Sequence, residues 1–143
     1  MSVQTIQIGI DLGTTNSEVS VNHKGSIDVV KNNLQDEYTP SVFGFDKAKN
    51  KLVGKKAYTK LLEASIDDVS NFKAEIKRLM GTSEKVSFPR VDLQLNAEEI
   101  SAEILKSLRE DVLRKYPDVN VSTAVITVPA YFDSSIGGDK KGW

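Results

Sequence analysis

Ile8-Gly9-Ile10-Asp11-Leu12-Gly13-Thr14-Thr15-Asn16-Ser17 joins a run of alternating apolar residues to an acid, a glycine and four small polar side chains. Upstream, Ile6 extends the alternation, so Thr5 to Ile10 is predicted as a half-buried strand with the period of two that a sheet requires. Gly13 and the polar residues after it break the run, and Val19 and Val21 resume it, which is a hairpin pattern. A second turn at His23-Lys24-Gly25 leads to Ile27, Val29 and Val30. Three antiparallel strands in a meander are therefore expected.

Beyond Asn32 the pattern loosens around Pro40, Gly44, Gly54 and Gly81, which predicts a smaller α/β subdomain inserted between elements of the sheet. Short strands are expected near Ser41 to Phe45 and Lys51 to Val53. Val69, Phe72, Ile76 and Leu79 share a helical spacing, so a helix is predicted from Val69 to Met80 with Gly81 as its stop. The strongest helical pattern runs from Ala97 to Tyr116. Asn96 can cap it, Glu99 holds the capping-box position, and Ala102, Leu105, Leu108, Val112 and Tyr116 form the apolar stripe. Glu103, Lys106, Arg109, Glu110 and Arg114 are expected on the solvated face. Pro117 ends the helix, and Val125 to Val128 is an unbroken apolar run of the kind buried on both faces of a sheet. The chemistry-bearing part is taken as 1–132, with a core of 1–38 and 96–132 around an insertion of about 39–95. Residues 133–143, rich in glycine and without periodicity, are expected to be a tail.

The chain of 143 residues has the length of one domain, and 39% hydrophobic residues suffice for a core. Its 19 basic and 20 acidic residues leave a net charge of −1, so neither nucleic acid nor an anionic membrane is an expected partner. Cysteine is absent, which removes disulfides, thiol nucleophiles and thiolate metal sites and fits a reducing compartment. With no targeting pattern or long apolar run at the N-terminus, a cytoplasmic location is expected.

The turn after Asp11 combines features that can hold a phosphate. Gly13 allows close backbone approach to an anion, successive N–H groups and the Thr14 and Thr15 hydroxyls can donate hydrogen bonds, and a carboxylate can orient a hydrated divalent cation. A tight hairpin whose threonines satisfy their own turn explains the same residues. His23, in an exposed turn, has no expected role.

The segment Ile8 to Ser17 closely resembles the first phosphate loop of the seventy-kilodalton heat-shock (DnaK-type) chaperones. Tyr38-Thr39-Pro40-Ser41, Val53-Gly54, Ile76 to Gly81, Ile100-Ser101-Ala102-Glu103 and Ala124 to Phe132 resemble that family too, in the same order. The resemblance implies an actin-like ATPase lobe: a mixed sheet of three antiparallel strands and one parallel strand, a long packing helix and an inserted subdomain. It also implies ATP or ADP with Mg²⁺ as cofactors. On matching positions, Gly13, Thr14, Thr15 and Asn16 would wrap the β- and γ-phosphates, Asp11 would hold Mg²⁺ through water, and Lys77 would reach the γ-phosphate and position the attacking water. Pro129 would relay nucleotide state to a substrate-binding domain, although a proline at that position also reads as a plain strand terminator. Implied partners are unfolded polypeptides, a J-domain co-chaperone and a nucleotide-exchange factor.

After Phe132 the sequence departs from the family, and the arginine that works with Pro129, the later acidic residues and the second lobe are not found. A lobe that is incomplete by itself is expected, with hydrolysis near background, because phosphoryl transfer needs charge stabilisation from both sides. Such a lobe could also serve as a non-enzymatic assembly or split-domain module prone to self-association. Sugar kinases share the fold and a similar Asp-Leu-Gly-Thr loop, but no hexose-binding segment is matched.

Overall fold

The computed structural model describes residues 4–127. Alternation in the first thirty residues becomes a meander of β1 (Gln4–Leu12), β2 (Asn16–His23) and β3 (Ser26–Val30). β1 and β2 pair antiparallel from Gln7↔Asn22 to Leu12↔Ser17, so Ile8 faces Val21 and Ile10 faces Val19. Lys24 and Gly25 both have positive φ, 53° and 85°, the type I′ geometry that matches the twist of a two-residue hairpin. β10 (Val119–Thr127) lies parallel to β1 on its other side, from Gln4↔Val119 to Asp11↔Thr127. The strand order is β10-β1-β2-β3, and β4 (Thr39–Pro40) pairs with the start of β2. One parallel pair in an otherwise antiparallel sheet is the mixed architecture expected.

Ile6, Ile8, Ile10, Leu12, Val19, Val21 and Val30 all face one side of this sheet and are buried against Ile104, Leu108 and Val112 of α2 (Ala97–Lys115). Asn96 caps α2: its side chain accepts from the Glu99 N–H at 2.8 Å while the Glu99 carboxylate accepts from the Asn96 N–H at 3.1 Å. The N-terminal turns of the same helix serve a second core. Ala97 and Ile100 pack with Phe43, Phe45, Ile76 and Phe88, and the three phenylalanines meet edge to face with ring centroids 5.3–5.5 Å apart. One helix thus ties the sheet to the inserted segment. That segment contributes β5 (Phe43–Phe45), β6 (Lys51–Val53), α1 (Lys55–Glu63), β7 (Phe72–Lys73) and the hairpin of β8 (Lys85–Phe88) with β9 (Leu93–Asn96).

Three expectations need correction. No helix spans Val69 to Met80: two short 3₁₀ turns, Val69–Asn71 and Ile76–Leu79, flank β7. Tertiary pairing overrides the helical spacing. Phe72 pairs with Gly44 on β5, where a Cβ on Gly44 would stand 2.3 Å from the Phe72 ring, and Glu75 takes a left-handed φ of 54° that no helix tolerates. In α2 the buried face is centred on Ile104, and Ala102 is exposed. Val125, expected to be buried, is 61% exposed. Its register partner is Gly9, on the face that α2 does not cover, and β10 is the outer strand among the described residues.

Candidate functional site

At the C-terminal end of β1 the chain turns through Gly13, Thr14 and Thr15 into Asn16, the first residue of β2. Asp11, Thr15 and Asn16 are exposed, while Gly13 and Thr14 are half-buried. The turn is closed so tightly that a Cβ on Gly13 would stand 2.1 Å from the Asn16 carbonyl oxygen and 3.3 Å from its carbon. Backbone atoms cannot yield to that approach as a flexible side chain could. Only glycine therefore fits the position.

Lys77 reaches this turn from 65 residues away. It sits in the 3₁₀ turn Ile76–Leu79, is 7% exposed, and its Nζ donates to the Leu12 carbonyl oxygen between Asp11 and Gly13. Burial lowers its pKa below the ordinary 10.5, and the nearby Asp11 carboxylate opposes that shift. A desolvated ammonium placed beside an exposed carboxylate and a glycine turn is an anion-seeking arrangement, because a phosphate would supply the charge that the interior withholds.

The turn is also held from below. Ser41 follows β4; its backbone N–H donates to the Thr15 carbonyl at 2.8 Å, and its Oγ donates to the Gly13 carbonyl at 2.9 Å. The Ser17 Oγ lies 2.8 Å from the Ser41 Oγ. Asn32 anchors the connection that delivers this segment: its Nδ2 donates to the Tyr38 carbonyl and the Thr39 Oγ1 at 3.2 Å each, and its Oδ1 accepts from the Leu34 and Asp36 N–H groups.

Asp11, Gly13, Thr14, Thr15, Asn16 and Lys77, the site residues expected from the sequence, thus lie together at the β1–β2 turn. Pro129 lies outside the described residues. Ser17, Ser41 and Asn32 were given no role from the sequence, although Ser17 and Ser41 both sit in stretches marked by resemblance, and a buried serine has no periodic signature that would reveal its partners. Arg114, expected on a solvated face with weak pairing, is half exposed and donates to Asp111 at 2.9 Å, and burial raises the pKa of that carboxyl above its ordinary value. Glu103 accepts from Lys51 at 3.0 Å. His23, given no role, packs its ring 5.7 Å from Tyr116.

Among the described residues no group of three or more His, Asp or Glu side chains could bind a metal ion. Asp11 supplies one carboxylate at the turn, which suits a cation held mainly by phosphate and water rather than by a protein cage. No helix among the described residues is long and apolar enough to cross a membrane.

Residues 7–136 match the family model described as Hsp70 protein. The chain is 36% identical to a chaperone protein DnaK of Prochlorococcus marinus (strain MIT 9515), over 90% of this chain and 23% of that protein. It is 44% identical to a chaperone protein DnaK of Metamycoplasma hominis, over 90% of this chain and 20% of that protein. The chain thus spans about a fifth to a quarter of the length of these relatives.

Proposed function

The chain belongs to the Hsp70 family, and from that premise we propose that it is an ATP-binding lobe of a DnaK-type chaperone ATPase. The turn Gly13-Thr14-Thr15-Asn16 would cradle the β- and γ-phosphates, Asp11 would orient a hydrated Mg²⁺, and Lys77 would supply positive charge to the γ-phosphate. The observation that carries this reading is the Lys77 ammonium, buried and bonded to the Leu12 carbonyl beside Asp11. Its hydrogen bond goes to a carbonyl and not to a carboxylate, and a buried ammonium so placed is costly, so it is retained where its charge has a task.

ATP or ADP with Mg²⁺ fits the donor set, because the turn admits backbone approach at Gly13 and has hydroxyls and a cation around it. Bound nucleotide would bring the phosphoryl group. The chain's own residues would orient it and offset its charge. Hydrolysis by this lobe is expected to be near background without donors from the far side of the phosphates. In the whole protein, ATP turnover would be coupled to binding of unfolded polypeptides, with a J-domain co-chaperone and a nucleotide-exchange factor as partners. We place its work in the cytoplasm, and we assign residues 39–95 to an inserted subdomain with Pro129 as the relay to further domains.

Calorimetric titration of the chain with Mg-ATP, alongside Lys77→Ala and Thr14→Ala, tests the reading. Saturable binding weakened by both substitutions supports it. A folded chain that takes up no nucleotide, or variants that bind as the wild type does, would remove the site.

A further inference from the structure

Ser41 spends its single hydroxyl proton on the Gly13 carbonyl at 2.9 Å. A carbonyl only accepts, so in the contact of 2.8 Å between the two hydroxyls Ser17 must be the donor and Ser41 the acceptor. The direction of the chain is fixed: Ser17 O–H to Ser41 Oγ, then Ser41 O–H to Gly13 O. Both serines are shut off from water, Ser17 at 1% and Ser41 at 3% exposure, so no solvent molecule competes for the bonds. Ser41 also holds the Thr15 carbonyl through its backbone N–H at 2.8 Å. One residue therefore grips two carbonyls of the same turn.

A planar trans peptide sets each N–H antiparallel to the carbonyl before it. With the Gly13 and Thr15 carbonyls drawn toward Ser41, the N–H groups of Thr14 and Asn16 are turned to the opposite side of the turn. Exposed Thr15 and Asn16 mark the outer surface of the turn. Ser41 belongs to the segment that lays β4 against β2, so the conformation of the turn is dictated from outside the hairpin that contains it.

We propose that Ser41 is a positioning residue for the phosphate turn, fixing the Gly13–Thr14 peptide plane for an incoming phosphate, and that Ser17 holds the Ser41 hydroxyl in the rotamer that does so. This rests on the reading of the turn as a phosphate site. The two serines are chemically alike but not equivalent. Ser41→Ala releases the Gly13 carbonyl. Ser17→Ala leaves the Ser41 to Gly13 bond in place, and the double variant removes both hydroxyls so that neither is stranded.

The test uses the 143-residue chain and three variants, with Mg-ATP calorimetry, thermal denaturation and the carbonyl-carbon NMR resonance of Gly13. Ser41→Ala should bind roughly five- to tenfold more weakly, the value of one neutral hydrogen bond, and Ser17→Ala by no more than about twofold. The double variant should regain part of the stability lost in Ser41→Ala while its binding stays weak. The Gly13 resonance should move in Ser41→Ala and in the double variant only. Equal weakening by both single variants, recovered binding in the double variant, or an unmoved Gly13 resonance in Ser41→Ala overturns the proposal. A wild-type chain that binds no Mg-ATP overturns the site reading instead and takes the nucleotide clause with it, while an unmoved resonance beside intact binding condemns the clamp alone.

Discussion

Lys77→Met separates folding from function at one atom. The replacement keeps the length and apolar stem of lysine and deletes the ammonium, which in the wild type is 7% exposed and bonded to the Leu12 carbonyl. Two opposing terms decide the stability. Removing a desolvated cation is favourable, since buried charges replaced by packed apolar groups are often neutral or stabilising. Losing its hydrogen bond leaves the Leu12 carbonyl without that donor, a cost of about 1–3 kcal/mol if water cannot reach it. These nearly cancel, so Lys77→Met should melt within about 4 °C of the wild type, the shift that roughly 1 kcal/mol produces in a domain of this size. Nucleotide binding has no such compensation. A hydrogen bond to a charged group contributes about 1.5–3 kcal/mol, so affinity for Mg-ATP should fall roughly ten- to a hundredfold. The pH dependence supplies a further mark. Because burial lowers the Lys77 pKa below 10.5, the unfolded chain binds that proton more tightly than the folded one. Wild-type stability should therefore rise relative to Lys77→Met as the pH climbs toward 10.5. Paired thermal denaturation and calorimetry read both effects. A variant that unfolds at far lower temperature yet binds nucleotide normally when folded would show that Lys77 is a structural pin and refute the reasoning.

Gly13→Ala should cost about 1–3 kcal/mol of stability in urea titration, the usual range for forced overpacking, and abolish Mg-ATP uptake, since the new Cβ meets the Asn16 carbonyl at 2.1 Å; unchanged binding would mean that the turn opens freely. Asn96→Ala removes the acceptor of the capping box and should lower stability by about 0.5–2 kcal/mol without altering affinity. At the other end of α2, Asp28 accepts from Lys115 at 2.6 Å and from Tyr116 at 2.5 Å. Those bonds lower the Asp28 pKa and raise those of Lys115 and Tyr116. The cluster's contribution is thus full between the ordinary carboxylate value of 3.8 and the ordinary tyrosine value of 10.0, and it is lost as pH falls below the first or rises through the raised values above the second. Melting temperatures of the wild type and Asp28→Asn should converge in both directions outside that window, and a constant difference from acid to alkali would exclude the linkage.

What the sequence disclosed and what it hid divide along the range of the interactions involved. β1 and β2 were legible because each buries one face, so Ile6, Ile8, Ile10, Val19 and Val21 had to recur at a period of two, whereas β3, with Ile27 exposed and Val30 buried, was marked by the turn at Lys24-Gly25 before it. The ends of α2 were legible because Asn96, Glu99 and Pro117 act on their own neighbours. Val69 to Met80 was not, since its residues are arranged by partners far away in sequence: Phe72 by Gly44, and the Asn71 side chain by the Arg90 N–H at 2.9 Å. A spacing of three and four residues is compatible with any path that returns apolar groups to one core, and here the path is a strand between two 3₁₀ turns. Val125 misled for a related reason, because an apolar run states that burial is wanted but not which element provides it. The site shows the same division. Asp11, Gly13 and Thr14 lie within four residues and carry their chemistry in their order, whereas Lys77 was reachable only through resemblance and the Ser17–Ser41–Gly13 hydrogen bonds only through the structure. The turn proposed to hold phosphate has its polar groups encoded locally and its shape imposed at a distance, by Lys77 on Leu12 and by Ser41 on Gly13 and Thr15. Its geometry should accordingly respond to substitutions at the β4 segment and the Ile76–Leu79 turn before it responds to changes elsewhere in the β1–β2 hairpin.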